Sequence, residues 1–421
     1  MNSRERVLAA IAHRQPDMVP VDLGSNPSSG ISATAYSRLK THLGVSGGAV
    51  RVYDVVQQLA QPEEWALDRF GVDVVDLGRT FNARDEDWYD MTLQSGQRAQ
   101  YPAWFRPERQ ADGAWNVYHA DGTLIARMPA GAAFFDETCF PYAEAWPADY
   151  SGLDEAMGKV LWSALVHSPW DSASMPLFWE TLRERAKTLR AESDRAIMLV
   201  VGCNLFEWGT FLRRIDNFLA DLLLEPDKVE GLLDALMERH LATLEKACSY
   251  LGDLVDVIRF GDDLGTDNGP FMSPDTYRSL FKPRHKMLCD YVHAHSGMHT
   301  FLHSCGSIHK VIPDLIEAGF EILNPVQTSA RDMEPERLKR EFGADVVFWG
   351  GGIDTRTVLN NGTPADVRRQ ALERLEIFSK GGGFVFNTVH NILPDVPPEN
   401  VEALFGAVAE FNGKGPRGAS R

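Results

Sequence analysis

The feature that most constrains this chain is a rhythm. From about residue 172 onward, short apolar runs alternate with long amphipathic helical patterns: AIMLVVG (196–202), VDVIRFG (255–261), HTFLHSCG (299–306), EILNPV (321–326), VVFWGGG (346–352) and FVFNTVH (384–390). Continuous apolar runs of this length read as strands buried on both faces, and strands separated by helices pair in parallel. Two earlier runs, VPVDLG near the start and VDVVDLG (72–78), bring the β/α units to eight. Eight units suit a closed (β/α)8 TIM barrel, and no GxGxxG opens the first unit as it would in a dinucleotide-binding sheet. A doubly wound sheet stays open as the alternative.

Before the first run, Ser3 as N-cap and Val7, Leu8 and Ile11 at helical spacing predict a helix that ends before Pro16. Residues 31–44 and 62–70 also read as helical. The stretch from about 80 to 150 has another character. It carries Trp88, Trp104, Trp115 and Trp146, and in WNVYHADGTLIARM the pair Asp121-Gly122 separates two alternating runs, a hairpin signal. We read it as a β-rich insertion whose tryptophans form a small core of their own, with a cofactor-facing role as the alternative. The 421 residues are then one (β/α)8 barrel domain over 1–421 with that insertion.

Composition narrows the function classes. With 44% hydrophobic and 24% charged residues the chain has ample core. No segment approaches the ~20 uncharged apolar residues of a membrane helix. A formal charge of −17, with Lys and Arg scattered, repels phosphate backbones and anionic lipid, so neither nucleic acid nor membrane is an expected partner. The N-terminal MNSRERVLAAIAHRQPD has no apolar core of a secretory signal, and the expected compartment is the cytoplasm. Five cysteines at irregular spacing argue against a disulfide framework.

The predicted strands end in chemistry at one pole: Cys203, Asp262 and Asp263, His303 and Cys305, Asn324, Asp354 and His390. In a barrel that pole holds the active site. His303 and Cys305 stand two apart on a predicted strand, so both point to one side, and imidazole with thiolate is a ligand pair that favours zinc. His390, ending the last strand, is the expected third metal ligand, with Cys203 as runner-up. Asp262 and Asp263, in RFGDDLGTDNG, are candidate catalytic carboxylates able to share a proton or orient a substrate, and His390 is counted with them. Asp267 and Asn268 read as a turn. Asn324, Gly351 and Asp354 are the candidate cofactor-binding positions. Neither WGGGIDT nor KGGGFVFN matches a nucleotide fingerprint, so ATP and NAD are not expected.

RQPDMVPVDLG, GDDLGTDNGPFMSPDTYRSLFKPRHK, FLHSCGSIHKVIPDLIEAGFEILNPVQ, FWGGGIDT and FNTVHNILPDVPPENV together resemble the uroporphyrinogen decarboxylase superfamily, over most of residues 1–78 and 196–412. The resemblance implies a (β/α)8 barrel and, in one branch, zinc-dependent methyltransferases that exchange a methyl group between a corrinoid (methylcobalamin) protein and a thiol or tetrahydrofolate. The H-x-C element of that branch maps to His303 and Cys305. Its third ligand is a cysteine near the final strand, where this chain has His390. The decarboxylases' arginine-bearing loop corresponds to VDLGSNPSSGIS, which holds no arginine. What the resemblance implies is therefore a methyltransferase with zinc as cofactor, a separate corrinoid protein as partner and a small-molecule methyl donor or acceptor. Two alternatives stand beside it: a metal-free decarboxylase-like lyase, and a tetrapyrrole or corrinoid carrier without turnover. The helical stretch 273–295 and the insertion leave room for a homodimer.

Overall fold

A computed structural model describes residues 1–162, 167, 170–175 and 177–413. Seven parallel strands, Val74–Asp76, Ala196–Gly202, Val257–Gly261, His299–His303, Ile322–Asn324, Val347–Trp349 and Phe384–Val385, run side by side in chain order. The segment 20–22 joins the two edges. Phe386 N–H donates to Pro20 O and Asp22 N–H to Phe386 O on one side, while Asp73 N–H donates to Val21 O on the other. With that eighth member the curled sheet closes as a (β/α)8 TIM barrel, the fold that the eight apolar runs predict.

Inward side chains recur every second residue along each strand, and this divides the interior into two layers. The lower layer is apolar: Val74, Ala196, Met198, Val257, Phe301, Ile322, Val347, Trp349 and Val385 form one buried cluster. The helix Ser3–Ile11 closes it from beneath with Val7, Ala10 and Ile11. Burying a side chain such as Val7 or Ile11 stabilises the fold by about 1.5–3 kcal/mol. The helix starts where Asn2 and Glu5 form a reciprocal capping box, so the cap is Asn2 where the sequence reading expects Ser3. Two residues further along five of the strand runs, the same inward face carries Asp76, Arg259, His303, Asn324 and Asn387. This polar layer is the floor of the upper mouth.

The outer helices include Phe178–Glu192, Pro226–Leu251, Lys282–His295, Pro364–Phe378 and Pro398–Phe411. Helices Ala33–His42 and Glu64–Phe70 fall within the two predicted helical stretches. Between the second and third barrel strands the chain forms the hairpin Trp88–Thr92 with Arg98–Pro102. A four-stranded antiparallel sheet of Glu108–Arg109, Trp115–Tyr118, Leu124–Met128 and Asp136–Glu137 follows. Asp121 and Gly122 turn Trp115–Tyr118 back onto Leu124–Met128, with Gly122 at a φ of 87° that suits glycine. The tryptophans of this region do not share one core. Trp146 lies under the Arg213 guanidinium, 4.7 Å from it, and Trp104 faces the barrel mouth. Among the described residues, no helix is long and apolar enough to cross a membrane.

Candidate metal centre

The strand His299–His303 pairs with Val257–Gly261 on one side and Ile322–Asn324 on the other, in a register that sets Gly261, His303 and Asn324 abreast. His303 Nδ1 is 2.6 Å from Asn324 Oδ1. The orientation of that amide is fixed independently, because its Nδ2 donates to Trp349 O at 2.8 Å and Oδ1 also accepts from Ser28 Oγ at 2.9 Å. An amide oxygen only accepts, so Nδ1 carries the imidazole proton and Nε2 keeps its lone pair. Nε2 lies 3.4 Å from Cys305 Sγ and 3.5 Å from Asp263 Oδ1. The His390 ring stands 5.5 Å from that of His303. One ligand atom from each of His303, Cys305 and His390 lies within 4.8 Å of the others.

Each member is held by a different device. The strand ends at His303, so Cys305 belongs to the following loop, where its N–H donates to Asp263 Oδ1 at 2.8 Å. Gly306, at φ 85°, lets that loop lie on the next: a Cβ there would stand 2.3 Å from the Gly265 backbone. His390 adopts a left-handed φ of 65°, a conformation that strains a residue bearing a Cβ. Burial, then the Arg259 charge, pushes His303 down to about 3, and burial, then His303, does the same to His390. Both rings are neutral across the ordinary pH range, the form that ligates a metal. Burial, followed by Asp263 and Glu207, drives the Cys305 thiol well above its usual value. A coordinating cation reverses that order and deprotonates a thiol. Two neutral imidazoles and one sulfur fit the tetrahedral N/S preference of zinc and leave a fourth position free.

The two aspartates part company. Asp262 is fully buried, and its carboxylate accepts from the N–H groups of Leu205, Phe206 and Glu207 at 2.9–3.1 Å and contacts His285 Nε2 at 3.1 Å. It caps the helix Phe206–Arg213 from a neighbouring loop. It does not line the mouth, so a catalytic part for Asp262 gives way to a structural one. Asp263 does line it. Asn324 reaches the site through His303. Gly351 is buried against Val326 and Thr328, and Asp354 caps the turn that follows it through the N–H groups of Arg356 and Thr357. Neither lines the mouth, because backbone packing and capping account for both. Cys203, the runner-up ligand, is buried in the main core near Cys248, outside the trio. Arg356, not a turn alone, engages Asp267 at 2.9 Å.

Above the trio the mouth opens into a cavity of about 270 Å³. Among the lining residues that sequence reasoning leaves out of the site are Arg259, Glu207, Tyr53 and Trp104. Arg259 is hidden inside the apolar run VDVIRFG, although its inward position two after Val257 is legible from strand alternation. Glu207 lies in the helix after the third long strand, where burial, then Asp263 and Asp262, lifts its carboxyl to about 8. Tyr53 and Trp104 arrive from segments without barrel periodicity, and nothing local marks them.

The sequence profile described as "Uroporphyrinogen decarboxylase (URO-D)" matches residues 182–411. A uroporphyrinogen decarboxylase of Pseudoalteromonas translucida (strain TAC 125) is 42% identical over 76 residues, which is 18% of this chain and 21% of that protein. The chain thus spans about a fifth of that relative's length. The methylcobamide:CoM methyltransferase MtaA of Methanosarcina barkeri is 28% identical over 321 residues, covering 72% of this chain and 88% of the other. Among solved structures, a methyltransferase from Methanosarcina mazei superposes with a TM-score of 0.60 at 20% identity over 98% of this chain and 99% of its own.

Proposed function

The chain belongs to the uroporphyrinogen decarboxylase family, and from that premise we propose that it is a zinc-dependent methyltransferase. It moves a methyl group between a corrinoid on a partner protein and a small thiol or tetrahydrofolate-type acceptor. The observation that carries this reading is the clustering of His303, Cys305 and His390, with Asn324 fixing the lone pair of His303 Nε2 on the side of the cluster. The long alignment with a methylcobamide:CoM methyltransferase supports the choice of reaction.

His303, Cys305 and His390 would hold the metal. Zinc, when bound, supplies a Lewis acid that keeps an acceptor sulfur or nitrogen deprotonated at neutral pH. The remaining work falls to the chain. Methyl transfer from a corrinoid would be an in-line displacement in which the acceptor takes the methyl group as the corrinoid leaves, so what the chain must supply is alignment. Asp263 fixes the loop of Cys305 and borders the reacting position. Asp262 acts indirectly, holding the helix that presents Glu207. The cavity's size favours a small acceptor inside, with the corrinoid protein docking across the mouth.

Metal content decides the matter first. Protein purified without a polyhistidine tag should carry about one zinc per chain, lost in His303→Ala and Cys305→Ser. The wild type should transfer methyl groups between methylcobalamin and thiols or folate. Fresh, reduced wild type that holds no zinc would overturn the reading and favour a metal-free lyase.

A further inference from the structure

Arg259 is a buried cation whose charge is felt by Glu207 and Asp263 but whose Nε is left unpaired. It is 9% exposed, it lines the cavity beside His303, and among the described residues its Nε has no hydrogen-bond partner. A buried guanidinium nitrogen left unsatisfied is costly, so such groups are rare in folded proteins unless something else satisfies them. The same wall holds a second orphan. Tyr53 lines the same cavity, and its buried hydroxyl also has no partner among the described residues. Burial holds that phenol well above its usual value, so it keeps a proton to donate. Two donors without acceptors, on residues that line one space, suit an anion.

The other walls say what the anion is attached to. Phe81, Trp104, Trp170, Trp208 and Phe211 line the cavity. At about 270 Å³ it stands near the lower end of small-molecule sites, which run roughly 300–1,000 Å³. A single ring fits that space, whereas a tetrapyrrole does not. Four acids line the cavity, Asp54, Asp76, Glu207 and Asp263, and burial raises all of them, Glu207 to about 8 and Asp76 to about 7, which weakens their repulsion of an anion at neutral pH.

We propose that Arg259 and Tyr53 hold the carboxylate of a planar aromatic acid, whose ring is packed among these aromatic walls and whose far end is turned toward His303 and His390. This puts an aromatic acid in place of the thiol or tetrahydrofolate-type acceptor, and it rests on the reading that the cavity is the site of methyl transfer. The planar guanidinium fork matches a carboxylate in two places at once, which a lysine could not do.

The test is a binding titration on the full, zinc-supplemented protein, following the fluorescence of the cavity tryptophans with benzoate as ligand. Benzoate should saturate the signal, while benzamide, which lacks the charge, and cyclohexanecarboxylate, which lacks the ring, should bind about tenfold more weakly or worse. Arg259→Gln should weaken benzoate by a similar or larger factor, and Tyr53→Phe by less, with benzamide binding unchanged in both. Equal affinity for benzoate and benzamide, or no saturation, overturns the proposal. So does unchanged benzoate binding in both variants. The comparison of ligands on the wild type decides even if Arg259→Gln does not fold. Protein found without zinc that still prefers benzoate sinks the metal reading and leaves this one standing. Zinc-loaded protein that ignores benzoate does the reverse.

Discussion

The two poles of the barrel treat buried polar groups in opposite ways. At the lower pole, where the strands begin, nearly every charge meets a partner. Arg6 Nη1 lies 2.6 Å from Asp73, which also accepts the N–H of Val21 at 2.9 Å. Asp256 collects Arg4, Arg190 and the N–H of Ile197. Glu321 takes His299 at 2.8 Å and the N–H of Thr300 at 3.0 Å. At the upper pole, where the strands end, the Arg259 Nε, the Tyr53 hydroxyl and Asn387 Nδ2 find no partner among the described residues. The lower pole is finished by the chain itself, whereas the upper one pairs Asp262 and Asn324 but leaves donors open beside the cavity. Stability and chemistry are thereby assigned to opposite ends of the same strands.

Mutations should separate those assignments. Removal of a metal ligand gives the largest effect. His303→Ala should lower methyl transfer by about 10³-fold or more, as expected when several kcal/mol of Lewis-acid stabilisation disappear. Its thermal midpoint in chelator should nevertheless match the wild type. A large loss of stability in chelator would mean that the upper pole also holds the fold. The mirror experiment is Asp73→Ala, which strands the buried Arg6 and should cost about 3–5 kcal/mol in denaturant unfolding. Zinc stoichiometry should remain that of the wild type, and a parallel loss of metal would break the division.

A finer test asks how far the site reaches. Asn324→Leu leaves all three ligands in place but frees the tautomer of His303, and zinc affinity measured against a competing chelator should fall about 10–100-fold. Unchanged affinity would show that Asn324 serves packing alone.

The smallest effect is a pH dependence. Burial, with Asp22 nearby, holds the Asp76 carboxyl up at about 7, against 3.8 for the free group. Between those values the unfolded chain loses a proton that the folded chain keeps, so folding stability declines as pH rises and then levels off above about 7. Asp76→Asn cannot ionise. Its melting temperature should equal that of the wild type near pH 4 and exceed it by a few degrees at pH 8. An equal gap at both values would mean that Asp76 is ionised in the native state.

Much of this contrast is legible in the sequence, because strand alternation is a local rule. The eight apolar runs predict the barrel, and the spacing of His303 predicts its inward face. What stays illegible depends on register or on distant segments. Asp262 and Asp263 are neighbours in the chain and cannot be told apart by composition. The loop after Gly261 sends one to a helix terminus and the other to the cavity. Asn324 matters only because pairing sets it beside His303. Trp104 reaches the mouth from a region whose own hairpins give no hint of it. Arg259 is the instructive miss: a charge inside an apolar run is visible, yet its unpaired Nε is a property of everything around it.

The closure of the barrel has a consequence for how the molecule is made. Its first inward segment hydrogen-bonds to Phe386, and Ala10 O accepts from Gly383 N–H, so the earliest residues wait for the latest. Until the strand at 384–385 exists, a growing chain presents two open sheet edges and an uncovered apolar floor, the surfaces on which nascent chains aggregate. Pairings of such long range slow folding. During synthesis the helix Ser3–Ile11 has nothing complete to close, and the chain depends for that interval on whatever shields its edges in the cell.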